Sequence, residues 1–385
     1  MTETLLERFG RRLRVGMIGG GIGSYIGETH AIALRADGLW DLVAGAFSRN
    51  PETNAATGRS WLVPPERTYA DHRALIAGES TREDRVDAVI VATRPSSHAE
   101  IACDLLAAGF HVICEKPLTD TAADAQVVEA AVSGSGRRLL LTHCYSGYPM
   151  VRQAREMVAR GDLGRITLVE SRFASGMYAT TTPPGAWRVD GTEGGVTALI
   201  ADLGTHALHL AELVTGRRIT SVDADLARVD PAHAAFDNAY LTLGFEGGAR
   251  GRCWSTSQAA GATHGLAITV YGDKGSLAWD HEAAETLWWR ADGAPDRLLT
   301  KAGPGATGAA LAASRFTAGH PDGYALAFAN LYRDFAYALL AEALGEDPAP
   351  YLADLPDVAD GVRTLTVVEA AVASDATGRT VTVDT

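Results

Sequence analysis

Asp202 and His206 stand four residues apart in the largely apolar run Gly194 to Gly216, G-G-V-T-A-L-I-A-D-L-G-T-H-A-L-H-L-A-E-L-V-T-G. Read as a helix from about Val196 to just before Gly216, that spacing puts both side chains on one face. A carboxylate one turn from an imidazole can orient the ring and stabilise its charged form, which suits a general base. A plain i, i+4 ion pair is the equal alternative. A second reactive candidate, Lys116, lies in the stretch G-F-H-V-I-C-E-K-P-L, where a buried strand runs into Glu115-Lys116-Pro117. Open α/β sheets bind ligands beyond the carboxyl ends of their strands. Pro117 biases Lys116 away from the helical region and so directs it; a solvated lysine in a turn is the alternative. The run Val15–Ile18 meets Gly19, Gly20, Gly21 and Gly23 before a helix that starts near Ser24. Strand, glycine turn and helix make a phosphate cradle, although Ser24 stands where G-x-G-x-x-G has its last glycine.

The elements that position these residues change character along the chain. Val15–Ile18, Leu42–Phe47, Ala88–Ala92, His111–Cys114 and Leu139–Leu141 read as strands. Helical segments such as Thr29–Arg35, Ala70–Ala77, His98–Ala108 and Ala122–Ser133 alternate with them. This predicts a doubly wound, parallel α/β Rossmann domain over residues 1–142. Beyond a helix at Met150–Arg160 come Ile166–Phe173, Val222–Val229, Ala239–Phe245, Ala249–Thr256, Leu266–Tyr271 and Gly275–Asp280. Several alternate apolar and polar residues, with Gly247-Gly248 as a hairpin turn. Residues 143–385 therefore read as an α+β domain on a large, mostly antiparallel sheet. Strands near Glu285–Trp289 and Thr380–Val383 extend it. Ala302–Ala313 reads as a loop, and helices at Ala325–Ala343 and Asp357–Ser374 close the chain.

Composition narrows the partners. A net charge of −13 argues against nucleic acid or an anionic membrane surface as the main partner. No signal segment opens the chain and no apolar run reaches membrane-spanning length. Cys103, Cys114, Cys144 and Cys253 lack C-x-x-C spacing, and no H-E-x-x-H is present. A cytoplasmic protein with reduced thiols and no metal is the expectation.

The glycine turn, E-K-P and D-x-x-x-H, in that order, resemble the Gfo/Idh/MocA family of NAD(P)-dependent oxidoreductases of sugars, inositols and related polyols. The likeness covers nearly the whole chain. It implies a cofactor at the Rossmann switch point, a catalytic lysine at Lys116, and a catalytic pair at Asp202 and His206. Thr93, Pro95 and His98, in A-T-R-P-S-S-H, match the segment beside the nicotinamide ribose. With Gly19, Gly21, Ile22, Gly23, Ser24, Glu115 and Lys116 they form the expected cofactor site.

The second strand ends in Ser48-Arg49-Asn50-Pro51, without the carboxylate that holds the ribose of NAD. Ser48 and Arg49 suit a 2′-phosphate, which favours NADP over NAD. Arg49 stacked on adenine or facing solvent is the other reading. His143 and Tyr145 follow the last Rossmann strand, Trp187 and Arg188 lie in a Pro- and Gly-rich loop, and His320 and Tyr324 precede a long helix. These six are the substrate candidates, with loop packing an equal reading for the last two.

The expected reaction moves a hydride between a secondary alcohol and the nicotinamide, with His206 or Lys116 as formal base. A cofactor-retaining sugar epimerase or glycoside-processing enzyme is the nearest alternative. A non-catalytic dinucleotide-binding redox sensor is the one from a different class. A small polyhydroxylated substrate and a homodimer or homotetramer, formed through an exposed sheet face, are the expected partners.

Overall fold

Continuous apolar runs become the strands of a parallel sheet. In the computed structural model of the chain, which describes residues 3–183, 185–191 and 195–383, these are β1 (Leu13–Gly19), β2 (Trp40–Ala46), β3 (Ala88–Ala92), β4 (His111–Cys114) and β5 (Leu139–Leu141). Their order is β2-β1-β3-β4-β5, all parallel. Every residue of β3 is buried, as expected for a central strand covered on both faces. The order reverses between β1 and β3, so this is the crevice where a doubly wound sheet takes its ligand. Gly19 closes β1 there, in register with Ala92 at the end of β3.

The chain divides into two compact units, residues 1–119, 123–147 and 324–361 in one and 120–122, 148–323 and 362–385 in the other. This differs from a boundary at residue 142, because the helix Gly323–Ala343 delivers Tyr324 and its successors to the first unit. The Trp40 indole N–H donates to the Tyr332 carbonyl at 3.0 Å, and the Trp40 ring stacks on Phe335. Asn330 donates to the carbonyl of Gly147 at 2.8 Å, where the helix lies so close that a Cβ on Gly147 would stand 2.0 Å from the Ala327 carbonyl oxygen. Those contacts link residues remote in sequence, so no local pattern announces them.

The second unit is built on nine strands: β6 (Ile166–Ala174), β7 (Ile219–Ala227), β8 (Asn238–Phe245), β9 (Arg250–Thr256), β10 (Gly265–Gly272), β11 (Gly275–Asp280), β12 (Thr286–Ala291), β13 (Arg297–Thr300) and β14 (Val381–Thr382). Their order is β13-β12-β11-β10-β6-β9-β8-β7-β14. All pairings are antiparallel except β6 with β9. The helix Ala198–Thr215 packs against β6, β9 and β10. The opposite face, with Arg172, Tyr240, Arg252, Trp254 and Trp288, lines an open cavity of about 780 Å³.

Two local expectations change. Residues 302–313 are not all loop: Thr307 accepts a hydrogen bond from the Ala310 amide and starts the helix Gly308–Ala313. β13 is an exposed edge strand, and its Arg-Leu-Leu-Thr sequence carries too little alternation to read. All four cysteines are free thiols, and burial pushes Cys144 up to about 12 and Cys253 to about 11. Among the described residues no helix is long and apolar enough to cross a membrane.

Candidate active site

The glycine turn divides its labour differently from the simple motif. Gly19, Gly20 and Gly23 have φ of 78°, 68° and 84°, a region that only glycine adopts freely. A Cβ on Gly19 would lie 2.4 Å from the Ala92 carbonyl oxygen. Ser24 caps the helix Tyr25–Arg35, its hydroxyl accepting from the Gly27 amide at 3.3 Å. The close helix–strand approach assigned to a third glycine falls instead to Gly27, whose Cβ would stand 1.8 Å from the Gly20 carbonyl oxygen. The Ile22 amide donates to the Thr57 hydroxyl at 3.1 Å. Gly23 is exposed, and a Cβ there would meet no atom within 4 Å. A left-handed glycine facing open space at a helix N-terminus fits a pyrophosphate.

Around this turn the first unit gathers most of the other cofactor candidates. Ser48 and Arg49, with Asn54, Arg59 and Thr68, line a cavity of about 380 Å³ after β2. The Thr93 hydroxyl accepts from Ser97 at 2.8 Å, and buried Pro95 opens a short turn. His98 is buried, with Nδ1 3.1 Å from the Pro117 carbonyl and Nε2 3.2 Å from the Thr93 carbonyl. Burial pulls its pKa below the ordinary value, although the carbonyl contacts oppose this. His98 thus braces the Thr93 segment against the turn that carries Lys116.

Glu115 is buried, while Lys116 is half-buried and joined to Pro117 by a cis peptide. Burial works to raise the Glu115 pKa, but His30, the Thr142 hydroxyl and the charge of Lys116 together hold it below the usual carboxylate value. His143 and Tyr145 are buried just beyond β5. Tyr145 and Tyr25 both pack on Tyr324, with ring centroids at 6.3 and 6.2 Å.

The second unit holds Asp202 and His206 on Ala198–Thr215, both only 6% exposed. Gly194, at the head of the run that predicted this helix, lies outside the described residues. The helix ends at Gly216, left-handed at φ 61°. Arg188 Nε donates to Asp202 Oδ2 at 2.6 Å, and its guanidinium sits over the Trp187 ring at 4.5 Å. Burial pulls the Arg188 pKa down, but Asp202, helped by Tyr178, more than offsets it, and the guanidinium stays charged. The His206 ring lies 5.8 Å from that of Phe173 on β6. The structure therefore brings Trp187, Arg188 and Asp202 into one group. His320 is exposed, in a segment whose backbone is held by the buried Lys301 ammonium, 2.6 Å from the His320 carbonyl and 2.7 Å from Asp322.

Sequence reasoning missed several supports. Thr182 lies 2.9 Å from His233 Nε2, and His233 Nδ1 lies 2.9 Å from Asp237. The Ala234 amide donates to the Val189 carbonyl at 2.8 Å, so this second loop clamps the one bearing Arg188. Histidines at 233 and 30 and a lysine at 301 carry no local signal, because their partners are set by tertiary packing.

Comparison with known proteins agrees with this geometry. Residues 13–143 match the oxidoreductase family, NAD-binding Rossmann fold, and residues 151–278 match the GFO/IDH/MocA C-terminal domain. The chain is 32% identical to the uncharacterized oxidoreductase YfiI of Bacillus subtilis, over 94% of each chain. It is 26% identical to levoglucosan dehydrogenase of Pseudarthrobacter phenanthrenivorans over 72% of this chain and 76% of that one. The crystal structure of an inositol dehydrogenase homolog from Azotobacter vinelandii, complexed with NADH and myo-inositol, superposes with a TM-score of 0.90. Its identity is 35%, over 97% of this chain and 98% of that one.

Proposed function

The chain belongs to the Gfo/Idh/MocA family of NAD-binding oxidoreductases, and from that premise we propose that it transfers a hydride between a secondary alcohol of a sugar, inositol or related polyol and a nicotinamide dinucleotide. The observation that most supports this reading is the buried group on Ala198–Thr215, where Asp202 is paired with Arg188 and His206 follows one turn later. Ionisable side chains are seldom kept inside a core helix without a use.

The dinucleotide, when bound, takes or returns the hydride. The Gly19–Ser24 turn would hold its pyrophosphate, with Gly21 and Ile22 presenting backbone. Thr93 and Pro95 would flank the nicotinamide ribose, and His98 braces the Thr93 segment. Glu115 fixes the turn from which Lys116 donates a hydrogen bond to the reacting oxygen. His206 accepts the hydroxyl proton. Asp202, paired with Arg188, offers its carboxylate as an acceptor for the substrate or for His206. Lys116 and His206 can exchange the role of formal base, and the pH–rate profiles of their single variants distinguish the two.

Trp187, Tyr145 and Tyr324 offer ring faces to sugar C–H surfaces, while Arg188, His143 and His320 offer polar contacts. Ser48, Arg49 and the neighbouring Arg59 are the basis for proposing that NADP is accepted alongside NAD, the latter bound as NAD+ and as NADH in structures of the A. vinelandii relative. Two guanidinium groups lining one cavity suit a 2′-phosphate. The sheet face bearing Tyr240 and Trp254 pairs with that of a second copy in a homodimer or homotetramer, and light scattering of the purified protein reads this directly.

The test is a panel of myo-inositol, other inositols, levoglucosan and aldoses with NAD+ and NADP+, followed by reduced-cofactor absorbance. Turnover on at least one polyol, lost in Lys116→Met and in His206→Ala, is the expected result. Tight NADH binding without turnover on any member would instead favour a sensor.

A further inference from the structure

We propose that His30 is a positioning residue for Lys116, acting through Glu115. The inference rests on the reading of Lys116 as the group that acts on the reacting oxygen. His30 lies on Tyr25–Arg35, the helix that follows the glycine turn, and is fully buried. Its Nδ1 is 2.8 Å from the Tyr332 hydroxyl, and its Nε2 is 3.1 Å, at an oblique angle, from Glu115 Oε1. The same carboxylate oxygen accepts a hydrogen bond from the Thr142 hydroxyl. Phe328 meets the imidazole edge-on. Tyr332, Thr142 and Glu115 are all buried, so water does not replace any of these partners cheaply.

The hydrogen positions follow from what each atom can do. An ionised carboxylate only accepts, so His30 Nε2 carries the proton that faces Glu115. Nδ1 is then free to accept from Tyr332. Burial drives the Tyr332 phenol well above its ordinary pKa, so that its O–H stays on to donate. The result is a one-way chain: the Tyr332 O–H donates to His30 Nδ1, and the His30 Nε2 proton faces Glu115 across a 3.1 Å ion-pair contact. Its end is anchored at the backbone as well, where the Glu115 amide continues the ladder to the Val91 carbonyl at 3.0 Å. Lys116 is the next residue. These contacts fix the turn on which the lysine stands and keep an anion beside its ammonium.

The titratable groups facing Glu115 bound the pH behaviour. They are His30 from the first helix, adjacent Cys114 and Lys116, His98, Cys144 beyond β5, and Tyr324 and Tyr332 from Gly323–Ala343. The two thiols and the two phenols stay protonated in the working range, since burial raises all four. His98 is held neutral by burial. Without His30, the burial of Glu115 is less opposed, and its carboxylate takes a proton at a higher pH.

The experiment measures kcat, KM and the pH–rate profile of the full-length enzyme with a polyol that it turns over, together with NADH affinity and melting. The variants are Lys116→Met, His30→Asn and Tyr332→Phe. For His30→Asn we expect kcat to fall about tenfold to a hundredfold, the scale of a displaced catalytic group. We also expect NADH affinity to stay within about twofold and the acid limb to move to higher pH. Tyr332→Phe shifts both in the same direction by less, and decides the question if His30→Asn does not fold. Wild-type kcat and an unmoved acid limb in a folded variant would overturn the inference, as would a fall in kcat with the limb unmoved, the mark of a merely structural role. Full turnover in Lys116→Met removes the catalytic reading and the inference with it. Loss in Lys116→Met without an effect at His30 removes the inference alone.

Discussion

Gly27→Ala separates two opposing effects by sign. In an ordinary helix interior alanine is better than glycine by about 1 kcal/mol. Gly27 sits inside Tyr25–Arg35, but its Cβ would stand 1.8 Å from the Gly20 carbonyl oxygen, 2.4 Å from the carbonyl carbon and 2.6 Å from Cα. All three are backbone atoms of the glycine turn, so no side chain can swing away. Reaching even 3.0 Å requires the helix to retreat by more than about 1 Å, and overpacking of this kind costs about 1–3 kcal/mol. With rigid backbone on both sides the upper end applies, leaving a net loss of about 2 kcal/mol after the propensity gain. The same retreat moves the helix amides from the pyrophosphate position, so NADH affinity falls about tenfold for each 1.4 kcal/mol lost there. Gly134→Ala is the control, since Gly134 lies in the helix Ala122–Ser135 and its Cβ would meet nothing within 4 Å. It should stabilise by roughly 0.5–1 kcal/mol. Urea unfolding and NADH fluorescence titration read both variants. A Gly27→Ala protein as stable as Gly134→Ala, with undiminished NADH affinity, would refute the packing argument.

Further outcomes are expected elsewhere. His206→Ala should slow single-turnover hydride transfer by about 10²–10⁴-fold while leaving NADH affinity near that of the parent; an unchanged rate assigns the proton to another group. Burial, with Arg137 nearby, lowers the His111 pKa to about 4, and its Nδ1 accepts from the Arg138 amide at 3.0 Å. Between its ordinary value of 6.5 and about 4 the unfolded chain binds a proton that the folded one refuses, so stability falls as pH falls through that window. From pH 7 to pH 5 the wild type should lose about 2 kcal/mol more than His111→Asn, measured as urea midpoints; equal losses would show that His111 is not the source. Lys301→Met leaves Glu285 and the nearly inaccessible Asp322 carboxylate without that charge. It should destabilise by about 3–5 kcal/mol, and a neutral result in denaturant melts would mean that the cluster is more hydrated than its burial implies.

Much of the fold can be read in the sequence because its signals are local. Ala88–Ala92 is apolar throughout because both neighbours and both faces cover it. Gly216 marks the end of the Asp202–His206 helix because a left-handed residue is needed there. The position of Lys116 just beyond β4 is legible, because the strand before it is a continuous apolar run. What stays hidden depends on partners far along the chain. Ser24 occupies the position of the missing glycine, yet the close approach is made by Gly27, three residues later and inside the helix. Arg188 reads as a substrate contact, and only the structure shows it paired with Asp202. The helix Gly323–Ala343 is plain as a helix, but its allegiance to Trp40, His30 and Gly147 is not written in its own periodicity.

That allegiance governs how the protein is born. All five strands of the parallel sheet are synthesised by residue 141, yet the helix that seats Tyr332 and Phe335 against Trp40 leaves the ribosome only after nearly the whole second unit has been made. Throughout that interval the Trp40 ring lacks the cover of Tyr332 and Phe335, and its indole N–H is left to water. The growing chain therefore presents Trp40 to chaperones and proteases until that helix emerges, and the first unit closes only when residues 362–385 alone are still to be made.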